Sequence, residues 1–229
     1  MGRRSYDQYC PFARSLDVLG ERWTLLVIRE LLLGPRRFSD LLDGLPGIGP
    51  NVLTARLKLL QEEGIIRRTK LPPPAGSTVY EFTDLGRELE PPLLALGRWG
   101  MHLMGHRREN DTVRFAWVIY GMRFTFDSEK ARGVDDTYEF RVGDEVAWAR
   151  VADGHLTFGQ GPAHDPDAII TCDLETFQAI GLGELDPAQA LADGRSKVEG
   201  DLAAAARAAE VLTLPAGYTA PAAGAAAPS

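Results

Sequence analysis

The residues best spaced for chemistry lie between Arg37 and Ser77. Asn51, Thr54, Ala55 and Lys58 recur at helical spacing, opposite Leu53, Leu57 and Leu60. An amide, a hydroxyl, a methyl and an ammonium near the start of a helix are groups that can reach base edges in a major groove. Pro50 suits the first position of that helix, where its missing N–H costs nothing. Arg67, Arg68 and Lys70 follow on a strand, with Ser77 opening the return strand and Arg37 and Ser39 preceding the helix. Such cations and hydroxyls suit contacts to phosphate oxygens. Arg56 falls at the edge of the apolar face, so phosphate contact and a structural salt bridge are both open. Bond-making chemistry has no comparable constellation. His155 and His164 lack a Cys or Glu at ligand spacing, and no GxGxxG or GK[ST] loop occurs. The chain therefore reads as a non-enzyme with no metal and no cofactor.

The elements that must position these residues are punctuated by glycine and proline. Ser15 to Leu33 is helical, broken near Gly20, and Gly34-Pro35 stops it. Ser39 suits the N-cap of a short helix, Asp40 to Asp43. A turn over Gly44 to Gly49 leads into the helix from Pro50 to Gly64, with Gly49 as its cap. Ile65 to Leu71 and Ser77 to Phe82 read as strands joined by Pro72–Gly76. A leucine face is ordinarily core, and arginines on an edge strand can simply discourage aggregation. The order helix, short helix, turn, helix, basic hairpin is the stronger signal. Leu85 to His106 is a further helical stretch, interrupted by Pro91-Pro92. Its stripe of Leu93, Leu96, Trp99 and Leu103 suits either packing on the same domain or pairing of two subunits.

Charge separates this region from the rest. Residues 1–108 carry 16 Lys/Arg against 12 Asp/Glu, whereas residues 109–229 carry 9 against 20. Each phosphate contact needs a cation to displace counterions, so DNA contact belongs to the first half. Cys10 and Cys172 offer no disulfide framework, and a reducing cytoplasm is expected. No apolar run is long enough to span a bilayer, and the N-terminus lacks a secretory apolar core, so no membrane partner is expected.

Residues 9–105 resemble the HxlR family of bacterial winged-helix regulators, relatives of the MarR group. The resemblance is carried by Cys10-Pro11, Leu19-Gly20, Arg22-Trp23-Thr24-Leu25-Leu26, Arg29-Glu30-Leu31 and Arg37-Phe38-Ser39-Asp40-Leu41. It continues through Leu53, Arg56-Leu57, Leu60, Gly64 and Tyr80-Thr83-Gly86. It implies a homodimer on an inverted-repeat operator, paired through the helix that carries Leu93, Leu96, Trp99 and Leu103. Gly49 departs from the serine common in the family; backbone N–H groups can substitute for its hydroxyl at a phosphate. In the family a cysteine at the position of Cys10 can sense oxidants or electrophiles. Here Arg3, Arg4 and Arg14 are sequence neighbours that favour a reactive thiol, and the plainer reading is a small, half-buried apolar residue.

After Arg108 the pattern shifts to short strands. Val113 to Phe126 reads as a long β-rich run and Tyr138 to Val142 as a strand. Val146 to Val151 and His155 to Phe158 form a hairpin through Asp153-Gly154, and Ala168 to Cys172 is a further strand. Helices follow from Leu174 and over Pro187 to Ala192, then a short strand at Lys197-Val198-Glu199 and an Ala-rich helix capped by Asp201. This is an α+β order. The half resembles the sterol carrier protein type 2-like domain at Pro166-Asp167-Ala168-Ile169-Ile170, Glu175-Thr176-Phe177, Gly183-Glu184-Leu185-Asp186-Pro187 and Val198-Glu199-Gly200-Asp201-Leu202. That implies a mixed five-stranded sheet and helices enclosing an apolar tunnel. Trp117, Phe124, Phe140, Trp148, Phe158 and Phe177, with Leu182 and Leu191, are the candidate lining; each could equally fill core.

The expectation is an α+β chain. A winged-helix DNA-binding and dimerisation domain occupies 1–108, a sterol-carrier-like ligand domain 109–214, and a disordered Ala/Pro-rich tail 215–229. Its partners would be operator DNA, a second copy and a hydrophobic small-molecule effector, with repression relieved by ligand. Regulation through Cys10, or lipid carriage with the winged helix used for interactions, are the alternatives.

Overall fold

Proline, glycine and side-chain caps set the helix ends in the first part of the chain. The computed structural model describes residues 5–72, 76–104 and 108–213. Helix α1 (Pro11–Leu19) starts on a proline and is followed by α2 (Thr24–Leu32) and α3 (Phe38–Gly44). Ser39 is not the cap of α3 but its second residue. Arg37 holds the cap position, and its backbone N–H donates to the Asp40 carboxylate at 3.0 Å. The acidic side chain three residues on does the capping instead. Helix α4 (Pro50–Glu62) begins with Gly49 as cap and Pro50 as first residue, and the chain leaves it through Gly64 at φ +69°. Strands β1 (Ile66–Lys70) and β2 (Thr78–Phe82) pair antiparallel, with Arg68 opposite Tyr80. The turn between them falls mostly outside the described residues, as do Arg3, Arg4 and the tail 215–229.

Thr83 caps α5 (Asp84–Arg87), its hydroxyl accepting from Gly86 N–H at 3.1 Å. Helix α6 (Glu90–Met101) is not interrupted by Pro91-Pro92. Both prolines sit in its first turn, where the backbone N–H groups have no helical partner to lose.

By contacts the chain divides into two compact units, Met1–Leu93 and Leu94–Ser229. The core of the first gathers Val27, Ile28 and Leu31 from α2, Leu41 from α3 and Leu53, Leu57 and Leu60 from α4, all at 2% exposure or less. At roughly 1.5–3 kcal/mol per buried aliphatic side chain, the three leucines alone hold α4 firmly in place.

The second unit has a helix where the residue pattern suggests strand. Val113 to Phe126 is not β-rich; Phe115–Thr125 is helix α7. Phe115, Ile119 and Met122 recur at i, i+4 and i+7 and are buried, a helical period that aromatic and β-branched content hid. Strands β3 (Asp135–Val142), β4 (Glu145–Ala152), β5 (His155–Gln160), β6 (Ala168–Cys172) and β7 (Ser196–Gly200) form one mixed sheet. Its order is β5-β4-β3-β6-β7, with β3 and β6 parallel and the other neighbours antiparallel. Helices α8 (Leu174–Gly181), α9 (Pro187–Ala192) and α10 (Leu202–Leu212) complete it, capped by Asp173, Asp186 and Asp201. Helices α7, α8 and α10 cover the sheet face that carries Tyr138, Phe140, Ala147, Ala149 and Val151. Phe124 of α7 seats its ring on Gly97, where a Cβ would stand 2.5 Å from the ring. Beside it Arg98 donates to the Phe124 carbonyl at 3.3 Å. No described helix is long and apolar enough to cross a membrane.

One polar network crosses this core. Arg207 of α10 grips the buried Asp136 carboxylate with two bonds, 2.7 and 2.9 Å, and the Tyr138 hydroxyl donates to it at 2.9 Å. The Arg207 hydrogen bonds hold the Asp136 carboxyl below its ordinary value of 3.8. A depressed carboxyl contributes stability above its unfolded value and loses it as pH falls through the lower, folded one. Asp136→Asn is therefore expected to cost about 2 kcal/mol at pH 7, less than a fully buried pair because water can reach the part-exposed Arg207. The same substitution should flatten the loss of stability below pH 3.8. Urea unfolding at pH 7 and across the acid range measures both.

Candidate nucleic-acid interface

Helix α4 presents two unlike faces because its leucines and polar residues follow the same helical period out of phase. Leu53, Leu57 and Leu60 are buried, while Pro50, Asn51, Thr54, Ala55 and Lys58 are exposed. The Thr54 hydroxyl donates to the Pro50 carbonyl at 2.8 Å, leaving its oxygen free to accept. Lys58 lies 3.6 Å from Glu62, an exposed pair that constrains it little. Val52, 37% exposed beside Asn51, carries no signal in the sequence because an apolar residue on a helix normally marks core. An exposed apolar group of this kind can meet a thymine methyl.

Arg56 stands apart from that set. Its guanidinium lies 2.9 Å from Glu21 and donates through Nε to the Arg22 carbonyl at 3.2 Å. Of the two roles open in sequence, the salt bridge is the one the geometry displays. Glu21 lies 35 residues away in sequence, which leaves no local signal for the pairing.

The hairpin cations also differ. Arg67 is tied to Glu81 at 2.8 Å, and Thr69 donates to the same carboxylate at 2.8 Å. The Arg67 hydrogen bond, then Thr69, holds the Glu81 carboxyl below its usual range, so the pair is ionised and partly self-neutralised. Arg68 and Lys70 are exposed and form no ion pair among the described residues. Arg37 and Ser39 are exposed at the start of α3, and Ser77 is half-buried beside β2.

A winged helix with one polar helix face and a cationic hairpin is thus in place, and comparison with known proteins places it. Residues 18–108 match the HxlR-like helix-turn-helix model. An HTH-type transcriptional regulator of Synechocystis sp. is 42% identical over 91 residues, 40% of this chain and 67% of the relative. YvaP of Bacillus subtilis, also an HTH-type transcriptional regulator, is 37% identical over 41% of this chain and 87% of its own length.

The chain belongs to the HxlR-like helix-turn-helix family.

It is an HTH-type transcriptional regulator with a second domain beyond the matched residues 18–108. YodB of Bacillus subtilis is 33% identical over 39% of this chain and 81% of its own length. Its reduced form, a solved structure, aligns over 41% of this chain with a TM-score of 0.37. Residues 125–213 match the SCP-2 sterol transfer family.

In that second domain the candidate lining residues do not share one surface. Phe140 and Phe177 are in ring contact at 5.3 Å, and Phe177 meets Phe115 at 6.0 Å. These rings fill the layer between sheet and helices. Phe124 and Phe158 are each edge-on to Tyr120 at 5.7 and 6.1 Å; Phe158, opposite Ala149, is on the covered sheet face and packs against the core, whereas Phe124 meets Gly97. Trp148 alternates with the buried Ala147 and Ala149 and stands on the sheet face away from the helices, over Gly159. Leu191 is 40% exposed, and Trp117 and Leu182 are half-buried. Tyr120 escapes the sequence reading because the run around it looks like a strand. Its hydroxyl is buried with no hydrogen-bond partner among the described residues, and burial pushes its pKa up to about 12. The hydroxyl therefore keeps its proton at neutral pH and is available as a hydrogen-bond donor.

Near the N-terminus Cys10 is exposed at the cap of α1, while Arg14 turns to Asp17 at 3.3 Å. Asp17 also accepts from Ser5 and from the Tyr6 N–H, which ties the arm before Cys10 to α1.

The free and the tied arginine give a test. Arg68→Ala should lower the salt dependence of duplex binding by about 0.9 in the log–log slope, the share of a single phosphate. Arg67→Ala should change it by less than half as much, because Glu81 already neutralises that charge. Fluorescence anisotropy with a labelled duplex at several salt concentrations measures both slopes; equal changes would show that the Glu81 pair opens on DNA.

Proposed function

We propose that this protein is an operator-binding repressor acting as a homodimer. Helix α4 reads bases through Asn51, Thr54, Ala55 and Lys58, and the hairpin holds phosphates through Arg68 and Lys70. The observation that carries the reading is the exposed polar face of α4 on a helix whose opposite face is fully buried. A second copy accounts for the apolar residues left exposed on α6 and just beyond it: Leu96 at 46%, Trp99 at 60% and Leu103 at 64%. C2 pairing would then place two α4 helices on an inverted repeat.

The C-terminal domain binds a hydrophobic small-molecule effector that relieves repression by favouring one arrangement of the dimer. The match to the SCP-2 sterol transfer family supports an apolar ligand. The buried Tyr120 hydroxyl supports one that also carries a hydrogen-bond acceptor, since an unmatched buried donor is costly until it is met. Only unequal affinity for the two arrangements can shift the equilibrium.

A second reading is favoured by the exposure of Cys10. Solved forms of the relative YodB include reduced, diamide-treated and quinone-bound states. If Cys10 is the sensor, Cys10→Ser abolishes an oxidant response and leaves apolar ligands without effect.

Three outcomes are expected. The purified protein binds its own promoter DNA in preference to random duplex, and apolar candidate ligands weaken that binding; sharp operator binding that no apolar ligand changes overturns the effector reading. Trp99→Lys raises the dimer dissociation constant at least tenfold in sedimentation, and operator affinity falls with it. Tyr120→Phe leaves the thermal midpoint unchanged or raised but reduces the effector response several-fold. A full response in that variant would mean that the hydroxyl does not meet the ligand.

A further inference from the structure

Two features of the winged domain meet at three residues between α1 and α2. The first is the arginine of α4 that does not face outward. The Arg56 side chain is only 19% exposed, and its two acceptors, the Glu21 carboxylate and the Arg22 carbonyl, belong to this turn. Two of the three guanidinium nitrogens are committed there in a fixed fork.

The second is backbone strain. Trp23 has φ +79° and ψ −20°, a left-handed conformation in which a bulky side chain is a genuine outlier. Such a conformation persists only where its surroundings over-determine it. Here the Trp23 ring lies against Gly47, where a Cβ would stand 3.7 Å from the ring edge, and the Arg22 guanidinium covers the ring at 5.5 Å. Gly47, at φ +88°, belongs to the turn that leads into α4. The turn therefore touches the recognition helix from two sides: the segment that enters it, through Trp23, and the helix itself, through Arg56.

We infer that the Glu21–Arg22–Trp23 turn sets the pose of α4, with Arg56 and Trp23 as positioning residues that govern sequence discrimination without touching DNA. The inference rests on the reading of α4 as the helix that enters the groove. The leucines fix the depth at which α4 sits but, being apolar, allow rotation and sliding; directional bonds to a strained turn do not. Hydrogen bonds to base edges weaken steeply when misaligned, whereas contacts to the phosphate backbone tolerate displacement. Loosening this hold therefore lowers specific binding and spares non-specific binding.

The experiment uses the full chain, its own promoter duplex and a random duplex, each across a range of salt. Glu21→Ala and Arg56→Lys are each expected to lower the ratio of specific to non-specific affinity about tenfold. The salt slope should stay unchanged and non-specific affinity within about twofold. The double variant should lose little more than either single one, as coupled sites do. Lysine keeps the charge but not the fork, so a phosphate-contacting Arg56 would be rescued by it. In that case Glu21→Ala, which releases a competing carboxylate, would tighten binding to both duplexes. Either result overturns the inference, as does an unchanged ratio in both variants. Loss of folded protein alone lowers both affinities together and leaves the ratio intact, so it counts against the inference too. A wild-type protein without promoter preference would instead overturn the reading of α4 itself. That outcome is distinct from a wild-type preference that survives Glu21→Ala.

Discussion

The burial of Leu53, Leu57 and Leu60 against α2 is the contact on which the DNA-binding half depends. It places one face of α4 in the core and, by the geometry of the helix alone, leaves Asn51, Thr54, Ala55 and Lys58 outside. Around it the domain adds directional constraints. Arg56 ties α4 to the turn before α2, and Glu81 braces Arg67 and Thr69 across the hairpin. The polar face is thus presented by a support that is apolar in the middle and hydrogen-bonded at its edges.

The second domain is built on a different logic. Its sheet has one face packed under α7, α8 and α10 and the other mixed, with Trp148 and Ile169 half-buried on it beside Glu139. The covered face is closed by small residues, Ala147, Ala149 and Ala168, opposed by large rings. The Asp136–Tyr138–Arg207 network pins α10 to β3. The Tyr120 hydroxyl, unpartnered among the described residues, sits at the edge of this core, with its ring between Phe124 and Phe158 and under the Arg123 guanidinium at 6.0 Å.

Much of this is legible in the residues. Pro50 and Gly64 bracket α4 because a missing N–H and a positive φ each have one cheap place in a helix. Asp153-Gly154 marks its hairpin, and Ala168–Cys172 and Pro187–Ala192 fall where the patterns put them. What misleads is local composition. In α7 a run of aromatic and β-branched residues imitates a strand, although its buried positions keep helical spacing. Pro91-Pro92 looks like a break because a proline's tolerance depends on where the helix starts, which the pattern alone does not fix. The partners of Arg56 and the face occupied by Trp148 are tertiary facts. No window of neighbouring residues contains Glu21 with Arg56, and strand alternation gives two faces without saying which one the helices will cover.

The glycine at position 97 has a mechanical consequence. With no side chain between them, the Phe124 ring rests on the backbone of α6, and Arg98 closes the joint from the next residue. Ordinary helix contacts pass through side chains that can change rotamer and absorb a displacement. At Gly97 helix α6 contributes none, so the Phe124 ring alone stands between α7 and the backbone of the stretch that exposes Trp99.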